Sequence, residues 1–175
     1  MPKQTYLLTS LPKQGSPHMQ HFTPENFQTC TIGLLLGRAA LVKDRILDTH
    51  LQDHDVTAAQ FKVLIIIAQF AVDTPADLCR YLGLDSGAMT RMLDRLEQKA
   101  LIARSRCPDD RRQVRVGLTE DGRKLADRLP HIGAAAMNEL VGTLDPEELA
   151  TLTAILTKVL VNAGDALTLL RVSHK

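Results

Sequence analysis

The stretch from Leu82 to Gly122 constrains the fold of this chain more than any other part of its sequence. Its pattern of apolar and polar residues predicts a short helix, a turn, a second helix and then a β-hairpin rich in arginine. The turn of the hairpin falls at Pro108-Asp109-Asp110-Arg111-Arg112, where proline and aspartate are typical turn residues. The sequence therefore predicts two helices and a basic hairpin in close succession.

The positive charge of the chain is concentrated in the same stretch. From Arg91 to Arg115 there are eight basic and four acidic residues, a net charge of +4, whereas the whole 175-residue chain has a net charge of only +1. A near-neutral chain with one basic region is typical of a localised nucleic-acid-binding face rather than of a polybasic coat. Together with the order helix, turn, helix, hairpin, this predicts a winged helix-turn-helix that binds DNA.

The composition favours a mainly α-helical protein with one core and a small β-hairpin wing. Aromatic residues make up 3% of the chain and tryptophan is absent, so the apolar residues are mostly aliphatic ones that suit packed helices. The three cysteines form no Cys-x-x-Cys pair, and we expect no metal and no other cofactor. Scattered histidines and the absence of a catalytic grouping indicate that the chain is not an enzyme. Without a signal peptide or an apolar run long enough for a membrane, a cytoplasmic protein is expected.

The sequence predicts three parts: a flexible arm at 1–22, a winged helix-turn-helix domain at 57–119, and long helices at 23–56 and 120–175. The first helix is predicted to begin at Thr23-Pro24. The last helix is predicted to begin at Asp145-Pro146 and to keep an apolar face for about six turns. These N- and C-terminal helices have little to pack against within one small domain. We therefore expect them to form a two-fold dimer, with a monomeric helical bundle as the alternative.

The fourth predicted helix, from Gly87 to about Ala100, is the candidate for insertion into the major groove of DNA. Serine and threonine can bond base edges or phosphates, arginine can bond guanine through two hydrogen bonds, and a helix N-terminus attracts phosphate. The alternative for such residues alone is a solvated helix face. The candidate DNA contacts near its start are Ser86, Gly87, Ala88, Thr90, Arg91 and Arg95.

The hairpin supplies further candidates for DNA contact. Arg111 and Arg112 lie at its tip, where a cation can enter the minor groove, and Asp110 can hold one guanidinium in place through two hydrogen bonds. A charged hairpin that only keeps the surface soluble is the alternative, but the helix and hairpin together favour DNA binding. A winged helix used only for protein contacts would not need arginine at its tip.

Over about residues 23–171 the chain resembles the MarR family of transcriptional regulators. The matching segments are Leu78–Gly87, Met92–Glu97, Lys99–Ile102, the wing Asp110-Arg111-Arg112 with Val114 and Val116, and the pattern Leu118-Thr119-x-x-Gly122. Ala100 departs from the family, which usually has glycine at this position. The resemblance implies a homodimer whose terminal helices dimerise and whose two winged domains contact successive major grooves of a pseudo-palindrome.

By position, the resemblance assigns DNA contact to five residues of the fourth helix: Ser86, Gly87, Thr90, Arg91 and Arg95. In the wing it assigns the minor-groove contact to Arg112, with Asp110 as its partner. Many relatives are repressors that leave DNA when a small ligand or an oxidant acts near the junction of the dimerisation helices and the DNA-binding domain. We therefore expect a repressor that binds double-stranded DNA as a homodimer.

Two kinds of signal fit the resemblance. A small anionic ligand, often aromatic in this family, needs a cation among apolar walls near the wing root, for which Arg38 and Arg104 are candidates; surface or interface salt bridges are the alternative for both. Thiol oxidation is the other, because Leu84–Gly87 resembles the organic-peroxide-sensing branch, whose reactive cysteine lies in the first helix. Cys30 lies early in the predicted first helix, but a small apolar side chain is the favoured explanation of this cysteine. We favour the ligand.

Overall fold

The computed structural model describes residues 20–27, 29–106 and 113–173, and over these ranges the fold is mainly α with one two-stranded hairpin. This confirms the predicted fold class. The helices are α1 (Pro24–Phe27), α2 (Ile32–Leu51), α3 (Ala58–Phe70), α4 (Pro75–Leu82), α5 (Ser86–Gln98), α6 (Glu120–Ala126), α7 (Leu129–Val141), α8 (Pro146–Asn162) and α9 (Ala166–Ser173), with a 3-10 turn at Gln52–His54. The antiparallel strands are β1 (Ile102–Arg106) and β2 (Val114–Leu118). The chain divides into two compact units, 1–37 and 38–175.

The hydrophobic core lies in the second unit, where α3, α4, α5 and the hairpin meet. Helix α3 is apolar almost throughout and is the centre of this core, since it packs against α4, α6 and β2. Burying these aliphatic side chains is the main source of stability for the unit. The most deeply buried side chains are Leu51, Val63, Leu64, Ile66, Leu78, Met89, Leu93, Leu96, Ile102, Val116 and Leu129.

Six of the described helices begin at a side chain that accepts a hydrogen bond from a backbone N–H in the first turn. These N-caps are Thr57, Thr74, Asp85, Thr119, Asp145 and Asp165. The sequence predicts helix starts at Thr57, Thr74, Thr119 and Asp145, and at either Asp85 or Ser86. The structure shows that Asp85 is the cap of α5. The caps fix where the helices begin because they satisfy N–H groups that have no partner within the helix.

The prediction of one continuous first helix was wrong. Helix α1 ends at Phe27 and α2 begins at Ile32, so Cys30 lies between two helices rather than within one. The Thr29 hydroxyl donates to the Asn26 carbonyl at 2.9 Å, and the Cys30 N–H donates to the Phe27 carbonyl at 3.0 Å. These local bonds replace helical ones, as short hydroxyl side chains often do at a turn.

The prediction of one continuous last helix was also wrong. Helix α8 ends at Asn162, Gly164 follows with φ of +74°, and the axis of α9 is bent by 116° from that of α8. A left-handed residue cannot continue an α-helix, and glycine adopts that conformation without steric cost. The Asp165 carboxylate then accepts from the Thr168 N–H at 2.8 Å and starts α9.

The sequence predicts a fifth helix that begins at 119–122 and runs to about Gly142, with a kink or break at Pro130 and Gly133. The structure divides this segment into α6 and α7 around Asp127 and Arg128, just before Pro130. Proline is tolerated in the first turn of a helix, where its missing N–H needs no partner, so the chain starts a new helix ahead of it.

Within the described ranges, no single helix is long and apolar enough to cross a membrane. Helices α8 and α9 reach the required length and composition only as a pair, and they are sharply bent at their junction. The same residues contain no group of three or more histidine, cysteine or acidic side chains that could hold a metal ion.

Candidate nucleic-acid interface

Helix α5 is amphipathic, and its apolar side is fixed in the core. Met89, Leu93 and Leu96 are each at most 1% exposed. The spacing of these residues places them on one side of the helix, which leaves the other side to solvent. Of the predicted contacts, Ser86, Thr90, Arg91 and Arg95 are exposed, and Gly87 and Ala88 are half-buried. The structure thus brings four of the six predicted side chains to the surface of one rigid helix.

The N-terminus of α5 is organised by Asp85. Its carboxylate accepts a hydrogen bond from the Ala88 N–H at 2.8 Å, and this bond is the largest cause of a pKa below the ordinary value of 3.8 for this group. The nearby Arg91 guanidinium lowers the pKa further. A Cβ added at Gly87 would lie 3.4 Å from the Arg91 Nη1, so this arginine folds back over the first turn.

The hydroxyl of Thr90 has a defined orientation. It donates to the Ser86 carbonyl one turn earlier at 2.8 Å. Because its proton is occupied in this way, the oxygen faces solvent as an acceptor. An acceptor at this position suits a donor on a base edge, such as the amino group of adenine or cytosine.

Arg104 joins the wing to α5. Its Nη1 lies 2.6 Å from the Asp94 Oδ1 and 3.4 Å from the Glu97 Oε2, both on α5. Its Nη2 donates to the Thr90 carbonyl at 3.3 Å, and its backbone N–H donates to the Glu97 Oε1 at 3.1 Å. Strand β1 is therefore fixed to α5 through one side chain whose positive charge is matched by two carboxylates.

Strand β2 is held from the opposite side, by the segment between α3 and α4. The Asp73 carbonyl accepts from the Val116 N–H at 2.7 Å, and the Asp73 carboxylate binds the Arg115 Nη1 through both oxygens, at 2.6 and 2.5 Å. Ile102 of β1 and Val116 of β2 are each 1% exposed, so the inner face of the hairpin is part of the core.

The tip of the wing lies outside the described residues. Asp110, Arg111 and Arg112 fall in 107–112, and their assignment as minor-groove contacts stays a prediction. The strands leading to the tip are paired from Ile102 with Leu118 to Arg106 with Val114. Arg106, the last residue of β1, is exposed.

The Leu118-Thr119-x-x-Gly122 pattern has a physical explanation at the wing root. The Thr119 hydroxyl accepts from the Gly122 N–H at 3.0 Å and donates to the Ala100 carbonyl at 2.5 Å. A Cβ on Gly122 would lie 1.8 Å from the carbonyl oxygen of Leu101, a distance that no side chain can tolerate. Glycine is required because the start of α6 passes directly over the backbone that leads into β1.

Ala100 ends α5 in a conformation that favours glycine. Its φ is +54°, the Leu101 N–H bonds to the Leu96 carbonyl at 3.0 Å, and the Ala100 N–H bonds to the Glu97 carbonyl at 2.9 Å. This pair of bonds is the Schellman ending of a helix, in which the left-handed residue is usually glycine. The chain therefore keeps the turn geometry with alanine at some cost in backbone strain.

The two arginines predicted to bind an anionic ligand, Arg38 and Arg104, lie in different surroundings. Arg38 is exposed on α2, whereas Arg104 is engaged with α5 as described above. A cleft of about 310 Å³ beside the wing root contains three basic side chains that sequence reasoning did not single out. Its lining residues are His54, Leu101, Asp121, Lys124, Leu125 and Arg128. No sequence pattern marks them, because they come from three separate segments.

Comparison with known proteins agrees with this geometry. The model of the MarR family matches residues 56–114. The multiple antibiotic resistance protein MarR of Escherichia coli (strain K12) is 42% identical over 130 residues, which cover 74% of this chain and 90% of that protein. The chain belongs to the MarR family. The predicted resemblance is confirmed, and with it the assignment as a DNA-binding transcriptional regulator. MarR-family regulators are transcription factors.

Solved structures of MarR-family proteins have the same fold. A variant of MarR from E. coli in complex with operator DNA is 39% identical, with a TM-score of 0.70 over 79% of this chain and 99% of that chain. BpsR of Bordetella bronchiseptica, whose DNA binding is regulated by 6-hydroxynicotinic acid, is 30% identical. Its TM-score is 0.68 over 74% of this chain and 98% of its own.

Proposed function

We propose that the protein is a cytoplasmic repressor that binds a pseudo-palindromic operator as a homodimer and leaves it when a small anionic ligand binds. The observation that supports the DNA contact is the exposed side of α5. Ser86, Thr90 and Arg91 lie in its first two turns and Arg95 one turn further on, along a helix whose opposite side is buried in the core. The complex of the E. coli relative with operator DNA supports this assignment. The DNA immediately upstream of the protein's own gene is the first operator to test.

Replacing Arg95 or Arg91 with alanine tests the recognition helix. Each substitution should weaken binding to the operator by roughly 5- to 150-fold if the guanidinium reads a base, and should relax preference at one base pair. Arg123→Ala is the matched control, since Arg123 is an exposed arginine on α6, outside the predicted DNA contacts. Fluorescence anisotropy with labelled DNA measures all three, and unchanged affinity in both α5 variants would rule out this helix as the reader.

The wing supplies a second contact, from Arg112 into the minor groove. Removing this charge should weaken binding to all sequences and reduce the slope of log K against log salt by about 0.9. Arg112→Ala is compared with the unaltered protein over a series of salt concentrations. If neither the affinity nor the slope changes, the wing does not bind DNA.

The dimer covers the apolar side of α8. This helix has no buried residue, and its exposed apolar side chains are Leu149, Leu152, Ile155, Val159 and Leu160. An exposed apolar row of this length is expected to be covered by a partner rather than by water. A second copy of the chain is the partner that a two-fold operator requires.

The ligand binds in the cleft beside the wing root. Lys124 there is already within 3.4 Å of the Asp121 carboxylate, whereas the Arg128 side chain is exposed and forms no ion pair within the described residues. Leu101 and Leu125 provide apolar walls for an aromatic ring. Arg104 is a weaker candidate, because an anion would have to displace Asp94 and Glu97 from it.

Release of operator DNA by 6-hydroxynicotinic acid, the regulator of BpsR, tests this site. The acid should release the unaltered protein and the Arg123→Ala control, but not Arg128→Ala. An organic hydroperoxide serves as the second arm, because thiol oxidation at Cys30 is the alternative signal. If the hydroperoxide releases DNA and Cys30→Ser abolishes the response, the ligand proposal is wrong.

A further inference from the structure

The wing arginines do not all face the same environment. Arg106 and Arg115 lie on the two strands of the hairpin, close to the end that leads into the turn. Within the described residues Arg106 has no ion pair, whereas Arg115 is bound through Nη1 to both carboxylate oxygens of Asp73. Sequence alone groups these arginines together as basic wing residues, and the structure separates them.

Asp73 makes three bonds to two consecutive residues of β2. Its carbonyl receives the Val116 N–H, and its carboxylate receives Arg115. Val72, just before it, is 9% exposed and belongs to the core. Asp73 therefore attaches the middle of β2 to the segment between α3 and α4.

The ion pair contributes little to the stability of the fold. The side chains of Arg115 and Asp73 are 41% and 44% exposed, and pairs of this exposure stabilise proteins weakly because water competes for both charges. The buried side chains of Ile102 and Val116 keep the root of the hairpin in place without it. What the pair adds is a restraint on the direction in which the hairpin points.

The restraint complements the one on the other strand. Arg104 fixes β1 to α5, and Asp73 fixes β2 to the segment between α3 and α4. A hairpin held on one strand can rotate about that contact, whereas a hairpin held on both strands has one orientation. The reach of the wing tip depends on that orientation, because an angular change at mid-strand displaces the tip.

We infer that Asp73 and Arg115 form a clamp that positions the wing for DNA, and that Arg115 is a positioning residue rather than a DNA contact. This inference rests on the proposed contact of the wing with the minor groove. The chemistry is an intramolecular carboxylate–guanidinium pair in which one guanidinium nitrogen, Nη1, contacts both carboxylate oxygens. Together with the bond from the Val116 N–H to the Asp73 carbonyl, it holds two consecutive residues of β2 against one residue.

The sign of one substitution distinguishes a clamp from a DNA contact. Asp73→Asn removes a negative charge from a DNA-binding face, which by simple electrostatics tightens binding, and more so if it frees Arg115 to reach a phosphate. The clamp gives the opposite result. We expect operator affinity to fall about fivefold in Asp73→Asn, a loss on the order of one polar contact, and to fall equally in Arg115→Gln.

Three controls complete the experiment. The exchanged pair Asp73→Arg with Arg115→Asp should recover most of the affinity, since it restores the ion pair in reverse. The salt slope should be unchanged in Arg115→Gln but reduced by about 0.9 in Arg106→Gln, the matched wing arginine, which has no ion pair with any residue that the structure describes. The thermal midpoints of the single variants should stay within about 3 °C of the unaltered protein, which separates positioning from loss of fold.

A double-mutant cycle with Arg112→Ala links the clamp to the wing tip. If Asp73 acts through the wing, Arg112→Ala should cost much less affinity in the Asp73→Asn background than in the unaltered protein. Tighter operator binding by Asp73→Asn would overturn the clamp while leaving the wing contact intact. No effect of Arg112→Ala in either background would instead overturn the wing contact, and the function of the clamp with it.

Discussion

At the scale of single residues, the wing root is the most tightly specified part of the molecule. Thr119 bonds the end of α5 to the start of α6, and Gly122 leaves room for the Leu101 carbonyl. Ala100, by contrast, has a positive φ, a backbone conformation that is unfavourable for a residue with a Cβ atom. A strained residue, Ala100, and a position that only glycine can fill, Gly122, therefore lie close together at the wing root.

Ala100→Gly should stabilise the protein. It relieves the left-handed strain of alanine, offset in part by the greater freedom of glycine in the unfolded chain, so we expect a gain of about 0.5–1 kcal/mol and a rise of about 1–3 °C in Tm. Ala103→Gly, in the ordinary backbone of β1, is the control and should destabilise. A lower free energy of unfolding for Ala100→Gly in urea would contradict the assignment of strain.

The Asp85 cap should make the recognition helix sensitive to acid. Its folded pKa lies below the ordinary 3.8, so its stabilising effect is complete above the unfolded pKa and is lost as the pH falls through the lower folded value. Asp85→Asn keeps a capping oxygen without the charge and should flatten this part of the dependence of Tm on pH. Measuring Tm from pH 7 to pH 2.5 for both proteins tests this, and parallel curves would show that the cap does not titrate with folding.

At the scale of elements, helix starts were predictable, and so was the interruption before Pro130, but the interruptions after Phe27 and after Asn162 were not. The caps Thr57, Thr74, Thr119 and Asp145 are local signals, readable because a short polar side chain satisfies the N–H groups that follow it. The bend at Gly164 could not be predicted, because the apolar residues keep a helical spacing on both sides of it. A single left-handed residue does not change that spacing. The Asp73–Arg115 pair was equally unpredictable, because its partners are 42 residues apart.

Helix α9 has a packing role that follows from this bend. It returns to α4, the first helix of the helix-turn-helix, and Leu167 and Leu170 pack against the core. Leu170→Ser should lower the free energy of unfolding by about 1–2 kcal/mol, since the side chain is only partly buried. Val172→Ser, at a 51% exposed position on the same helix, should change it by less than about 0.5 kcal/mol. Equal effects of the two substitutions on urea unfolding would mean that α9 does not dock on α4.

At the scale of the whole molecule, the winged helix-turn-helix buries its apolar side chains within one chain, whereas helix α8 does not. Residues around α3, α4, α5 and the hairpin bury a continuous core, whereas α8 leaves its apolar row in solvent. Sequence patterning predicted this division because the end helices carry more apolar surface than one small domain can cover. The predicted boundaries, 23–56 with 120–175 and 57–119, stay predictions until the assembled protein is measured.

Ile155→Glu should convert a dimer into monomers. Ile155 is 55% exposed in the middle of the α8 row, and a carboxylate there would be buried without a partner if a second copy covers the row. Ala154→Glu, on the other side of the same helix, is the matched control and should leave the dimer intact. Sedimentation equilibrium gives the mass of each, and operator affinity should fall only in the monomer. A dimeric Ile155→Glu variant would place the interface elsewhere.

The bridge from Arg104 to Asp94 and Glu97 also determines what can be transplanted between relatives. Exchanging α5 alone for a helix without carboxylates at positions 94 and 97 would leave a wing strand with an unmatched guanidinium. Exchanging the hairpin alone would leave Asp73 without Arg115. The smallest portable module for retargeting is therefore α5 and the hairpin grafted together, with residue 73 chosen to match the incoming strand.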